Sequence, residues 1–186
     1  MRKNVTPWAW VPTLYFAEGL PYFLVNVISV TMFKRLGMDN AELAFYTGLL
    51  YLPWVAKPLW SPFVDLLRTR RWWVVATQAA LAAAFAAVAC SVAPVGFAVP
   101  LTFFYVAAVA SATHDIAADG YDMAALDGHR QSLFVGLRAT FYRISSVFAQ
   151  GVIVVAAGLL EELWGDVPRA WAVTFGGCSG VLALLA

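Results

Sequence analysis

The sequence predicts an all-α integral membrane protein: a six-helix bundle whose last three helices echo the chemistry of its first three. Two observations carry that expectation. Hydrophobic residues make up 62% of the 186 residues and charged ones only 12%, at a mean hydropathy of +0.74. Soluble domains hold roughly half apolar and about a quarter charged residues. The apolar residues also fall into six runs long enough to cross a ~30 Å hydrocarbon core, which takes about 17–25 residues. The runs cover residues 8–33, 41–66, 72–93, 98–124, 133–160 and 170–186, and the short connections between them hold most of the charge.

The first run follows Arg2 and Lys3. It is far longer than the ~7–15 apolar residues of a secretory signal, and no small-residue cleavage site closes it, so it reads as a span that stays. Within it, "EGLPY" (18–22) sets Gly19 and Pro21 beside Glu18. Pro21 has no N–H for the carbonyl of Ala17, so a backbone acceptor is freed next to an acid. Tyr15, Glu18, Tyr22, Asn26 and Ser29 fall within ~80° of one another on a helix. The second run repeats the device, with Pro53, Pro58 and Pro62 around Lys57. The third is nearly uniform alanine and valine, suited to packing or to lipid.

In the fourth run Ser111, His114, Asp115, Asp119 and Asp122 cover an arc of ~140°. The fifth places Arg138, Tyr142, Ser145, Ser146 and Gln150 on one broad side and also carries Arg143. The sixth, Ala170–Ala186, ends without a flanking charge and is expected to be a truncated sixth helix. The chain as a whole then reads as one six-span domain, half of a twelve-span molecule.

Seven ionisable residues lie inside these runs: Glu18, Lys57, Asp115, Asp119, Asp122, Arg138 and Arg143. Each costs ~2.5–3.5 kcal/mol near a helix centre, so together they approach ~20 kcal/mol and cannot face lipid singly. All sit in spans 1, 2, 4 and 5. An acid in span 1 and a base in span 2, then acids in span 4 and bases in span 5, is the pattern of an inverted 3+3 repeat. With 1.5 Å of rise per residue, Asp115 and Arg143 come to one depth, and Asp119, Arg138 and Lys57 to another. Four acids against three bases leave one acid over, and Glu18, apart in depth from the rest, is the candidate for carrying a proton. Asp122 and Asp127 are expected to be hydrated near the inner surface. His114 reads as a hydrogen-bonded packing residue, with a proton relay as the alternative.

Counting Arg2, Lys3, Arg68, Arg70, Arg71 and Arg130 against Lys34, Arg35 and Arg169 places the N-terminus in the cytoplasm. A formal charge of +1 gives no nucleic-acid footprint. Cys90 and Cys178, far apart and without His or Cys companions, read as small buried side chains with no metal or disulfide pattern.

"SPFVDLLRTRR" (61–71) resembles the cytoplasmic loop signature of the major facilitator superfamily, an acid followed by a basic cluster, here Asp65 with Arg68, Arg70 and Arg71. The leading glycine of that signature is replaced by Ser61 or Pro62. "FAEGLPY" (16–22), "YLPWVAKPLWSPFVD" (51–65) and "THDIAADGY" (113–121) resemble the branch holding AmpG-type muropeptide permeases and acetyl-CoA transporters. The likeness runs along the whole chain but covers only the N-terminal half of such a carrier, and so implies a missing C-terminal six-span half as partner.

The resemblance implies a permease of the inner cell membrane working by alternating access, with spans 1 and 4 lining the cavity, 2 and 5 its sides, and 3 and 6 the outer support. Its cargo would be a small organic solute such as a muropeptide, sugar or acyl-CoA-like anion, taken up by symport with protons and without a cofactor. The pathway residues are then Tyr15, Glu18, Tyr22, Asn26, Lys57, His114 and Asp115. The gate and charge network is Asp65, Arg68, Arg71, Asp119, Arg138 and Arg143. Glu18 departs from the muropeptide permeases, where that position is often small or uncharged. Static ion pairs are the competing reading for the acids and bases, and Lys57 is either a binder of an anionic group or a partner of Asp119. Two other classes stand beside the permease. "DGYDMAALDG" (119–128) loosely echoes a metal-dependent phosphotransferase motif, and a non-transporting accessory subunit of six spans is the third.

Overall fold

The computed structural model describes residues 7–92, 96–126 and 128–186. Arg2, Lys3 and Asp127, used above for orientation and hydration, lie outside the described residues, as do Pro94 and Val95 of one connection. Among the described residues the chain is helical throughout, with no strand, and forms six helical rods.

The first rod is α1 (Val11–Phe23) running through a π-helical segment, Leu24–Ile28, into α2 (Ser29–Arg35). Pro21 lies inside α1, and the π segment begins one turn beyond it. A helix that has lost one i→i−4 bond to proline readily takes an i→i−5 turn nearby. Gly37, at φ 93°, then turns the chain, and Asp39 caps α3 (Asn40–Leu67) by accepting from the N–H of Ala41 at 2.9 Å. Thr69 caps α4 (Arg70–Ser91) in the same way through the N–H of Trp72 at 3.3 Å. Next come α5 (Ala98–Ala125) and α6 (Gly128–Val147), the latter passing through a second π segment, Phe148–Ile153, into α7 (Val154–Trp164). Gly165, at φ 62°, ends that rod in the left-handed conformation that glycine adopts without a Cβ penalty. Asp166 then caps α8 (Val167–Leu185). The fifth rod thus runs over 128–164 and exceeds the expected 133–160.

Four rods are long and apolar enough to cross a bilayer: Val11–Arg35, Arg70–Ser91, Ala98–Ala125 and Phe134–Trp164. The other two fall short of that apolarity. α3 carries three prolines, Lys57 and Asp65, and α8 carries Arg169 with four glycines or serines near its middle, Gly176, Gly177, Ser179 and Gly180.

The apolar core lies between the first, third, fourth and sixth rods. Phe33, Phe85, Phe104 and Phe175 are all fully buried there. Their rings meet at centroid distances of 5.3 Å (Phe104–Phe175), 5.6 Å (Phe33–Phe104) and 6.0 Å (Phe85–Phe175), which suit edge-on and offset-stacked aromatic pairs. Ser179 ties α8 to α4 by donating to the carbonyl of Ala82 at 2.7 Å. The alanine-rich α4 is therefore a packing helix, since small side chains let neighbouring helices approach closely. α3 is the opposite case: only Leu50, Pro53 and Val64 are buried along it. Cys178 is buried, whereas Cys90, expected inside, is exposed because it lies on the outer side of α4.

The first rod packs along α6, and α3 packs along α5, with the two π segments touching each other. Gly19 allows the first of these contacts. A Cβ there would overlap Ser145 Oγ and lie 3.0 Å from Tyr142 Cδ2. The first and fourth rods thus each present one face to the aromatic core and the other to the rods that carry bases.

Candidate functional site

The bases of α3 and α6 meet the acids of α5 along the faces just described. Lys57 Nζ donates to Asp115 Oδ2 at 2.5 Å, and Trp54 Nε1 reaches the same oxygen at 3.2 Å. Trp54 precedes Lys57 by three residues, so both side chains leave α3 on one side. One to two turns further along α5, Arg138 spans two carboxylates. Its Nη2 donates to Asp119 Oδ1 at 2.7 Å and its Nη1 to Asp122 Oδ2 at 2.9 Å. Asp119 and Asp122 are neighbours on the helix surface at i, i+3, a spacing the guanidinium fork can bridge. Arg138 also lies over the Tyr15 ring at 4.6 Å, which brings the first rod into the cluster.

These pairings differ from the depths estimated above in three respects. Asp115 pairs with Lys57, while Arg143, expected at its level, is exposed. Lys57 therefore serves Asp115 and not Asp119. Asp122, expected to be hydrated, is 0% exposed and ion-paired. Depth along the axis cannot assign azimuth, and azimuth decides which charges meet.

Glu18 sits on α1 one turn from Tyr15 and Tyr22. Its Oε2 is buried and has no hydrogen-bond partner among the described residues. The second oxygen of Asp115 is in the same condition. His114 is 0% exposed, and neither ring nitrogen has a partner among the described residues, in contrast to the hydrogen-bonded packing role expected of it. Asn26 turns back on its own helix, donating to the Tyr22 carbonyl at 3.0 Å beside the π segment. Around these groups stands a wall of rings: Tyr22 against Trp54 at 5.2 Å, Tyr51 stacked on Trp54 at 6.3 Å, and Tyr22 facing Tyr142 at 6.3 Å. Neither the pocket at Trp10, Arg71 and Tyr121 nor the one at Trp73, Tyr105 and Thr113 is lined by Glu18, Lys57 or Asp115. The charged cluster lies instead on the open side of the bundle, where Lys57 and Arg138 each keep 28% of the side chain exposed.

The basic loop after α3 divides its work. Arg70 pairs with Asp65 at 3.2 Å and also donates to the Gly120 carbonyl of α5. Gly120 permits this, since a Cβ there would lie 2.9 Å from Arg70 Nε. Arg68 lies over the Trp72 ring at 5.6 Å, and Arg71 lines a separate pocket. Sequence reasoning named Arg68 and Arg71 for the gate and passed over Arg70, because three arginines within four positions give no signal of which one turns towards α5.

A second cluster at the opposite end went unread. Glu161, 8% exposed, accepts from Arg35 at the end of α2 and from the buried indole of Trp171 on α8 at 2.6 Å. The clamp ties the first rod to the consecutive fifth and sixth rods. In the sequence Glu161 is one of two adjacent acids in a loop, and nothing distinguishes it from Glu162.

Opposite charges matched between apolar helices, with buried carboxylate oxygens left unpartnered among the described residues, suit a membrane transport protein. Residues 17–132 match the model of the BT1 family, and the chain belongs to that family of membrane transporters. The match takes in Glu18, Lys57, Asp65, Asp115, Asp119 and Asp122 and stops before Arg138. Membership places the chain among transporters and not among enzymes, which sets aside the phosphotransferase reading.

Proposed function

We propose that this chain is the N-terminal six-span half of a permease of the major facilitator type, in the branch of AmpG-like and acetyl-CoA carriers. In this reading it works by alternating access and couples uptake of a small organic solute to protons. The observation that carries the reading is Glu18: a buried carboxyl oxygen without a partner among the described residues, on a helix with Pro21 in its interior, while the bases Lys57 and Arg138 are already paired. A carboxyl at such a place can take a proton from one side of the membrane and release it when its surroundings open to the other.

The charge pairs support the same reading. Lys57–Asp115 and Arg138–Asp119/Asp122 set two bases against three acids, and Asp115 Oδ1 has no hydrogen-bond partner among the described residues. The pairing of the first rod with the fifth, and of the second with the fourth, is the exchange expected of an inverted repeat. The repeat is imperfect, since α4 packs along α5 far more fully than α8 packs on α1. In this arrangement the N-terminus lies in the cytoplasm, Asp65 and Arg70 form the inner latch, and a second six-span bundle covers the open side.

The decisive experiment is uptake by vesicles carrying the full-length protein, with labelled muropeptides, sugars and acyl-CoA compounds, at imposed pH gradients. Glu18→Gln is expected to abolish the response to the gradient while facilitated exchange persists. An unchanged pH response in that variant removes Glu18 from coupling.

A further inference from the structure

The first and fifth rods are each built in two pieces, and their joints meet. The π segment Leu24–Ile28 parts α1 from α2, the π segment Phe148–Ile153 parts α6 from α7, and the two segments touch. We propose that α1 and α6 form one lever that turns about this double joint, while α2 and α7 stay fixed to the rest of the bundle. The lever carries Glu18 and Arg138, but the proposal does not rest on the transport reading.

Packing divides the two rods near the same place. Beyond the joints, Met32 and Phe33 of α2 and Ala157 of α7 belong to the core that holds Phe104 and Phe175. Arg35 and Glu161 join the far ends of α2 and α7, and the Trp171 indole ties Glu161 to α8. On the near side a separate apolar cluster, Val11 and Tyr15 with Phe134, binds α1 to α6, with Leu126 at the end of α5 beside them. Gly19 extends that contact, lying against Tyr142 and Ser145. Leu20, the next residue, already belongs to the larger core, so the division falls about one turn before the joint.

Local bonding suits a joint. A π turn replaces i→i−4 bonds by i→i−5 ones and is a common place for a helix to bend. Asn26 donates to the Tyr22 carbonyl at 3.0 Å, and Ser29 and Thr31 donate to those of Val25 and Val27. Such side chains compete with the backbone for its own carbonyls, so a change of bend there need not strand an acceptor.

The ties that hold the lever on α5 are polar and aromatic. Arg138 bridges Asp119 and Asp122, and Trp10 meets Tyr121 edge to face at 5.1 Å. Asp119 keeps 49% of its side chain exposed, so its ion pair exchanges readily for water. Releasing it loosens the lever without opening the core.

The test measures spin-label distances in the full-length protein in lipid nanodiscs. No solute or gradient is applied, so a failure of the transport reading leaves the outcome unaffected. Three pairs of exposed positions are labelled through cysteines in a Cys90→Ser background. They are Val75 of α4 with Val135 of α6, Thr13 of α1 with Val135, and Tyr105 of α5 with Val155 of α7. In Asp119→Ala, a change at a half-exposed carboxylate, the distance between positions 75 and 135 is expected to spread to values several ångströms longer. Arg138→Met, which removes both ion pairs, should spread it further. The other two distances are expected to keep their wild-type widths. An unchanged distance between 75 and 135 in folded Asp119→Ala overturns the proposal. Equal spreading between 105 and 155 overturns it as well, because the rods would then move whole. A spread between 13 and 135 does the same, because α1 and α6 would then part.

Discussion

Lys57 and Asp115 show how a single residue is made tolerable in an apolar helix. Asp115, with 12% of its side chain exposed, holds both a lysine and an indole on one oxygen. Removing only one member of the pair strands the other charge. Lys57→Met and Asp115→Leu, made singly, are each expected to cost roughly 2–3 kcal/mol in detergent, below the full range for buried pairs because Lys57 is partly solvated. The double variant should recover most of that loss, which a double-mutant cycle on thermal unfolding measures. Additive losses would mean that the two side chains do not act as a unit. That Asp115 and Asp119 would be paired was legible from helix rise and charge count, and so was Arg138 at the level of Asp119, whereas Lys57 as the partner of Asp115 and the pairing of Asp122 were not. Lys57 meets Asp115 because Trp54 and Lys57 share a side of α3, and no spacing in α5 alone announces that.

Between helices, the decisive contacts are made by residues with little or nothing to distinguish them in sequence. Gly19 lets the first rod approach α6 closely enough for Ser145 and Tyr142 to occupy the space a Cβ would take. Gly19→Ala gains helix propensity of about 1 kcal/mol but overpacks the contact, for a net loss of about 1 kcal/mol. Adding Ser145→Ala should return part of that loss, and stability unchanged by Gly19→Ala would show the contact to be loose. At the other end of the bundle, Glu161→Ala leaves the buried Trp171 indole N–H without an acceptor and is expected to cost about 1–3 kcal/mol. Glu161→Gln keeps an oxygen there and should cost less, as chemical unfolding of the two variants would reveal. The irregularity of the first rod could be read ahead of the structure, since Pro21 removes a known bond. The matching π segment at Phe148–Ile153 has no proline to mark it and is visible only where it touches the first.

For the whole molecule, the division of the first and fourth rods into a polar and an apolar face sets the architecture. Their apolar faces close on α4 and α8 around Phe85 and Phe175, and their polar faces meet α3 and α6. This leaves α3 poorly covered, and large residues such as Tyr51 and Leu59 stand exposed along it at 46% and 76%. Lipid could cover Leu59, but Tyr51 stacks on Trp54 at the charged cluster, where an aqueous path and a second wall are required by the proposed cycle. Cysteine labelling separates these cases. In a background with Cys90→Ser, Cys178 being buried, single cysteines replace Tyr51, Gln150 and, as a control on the outer support, Val173. A small membrane-permeant maleimide should label positions 51 and 150 several-fold more slowly in the full-length protein than in the 186-residue bundle, while position 173 reacts alike in both. Equal rates at 51 and 150 would place that face against lipid, and the permease would then have to be built without a second bundle closing on its first.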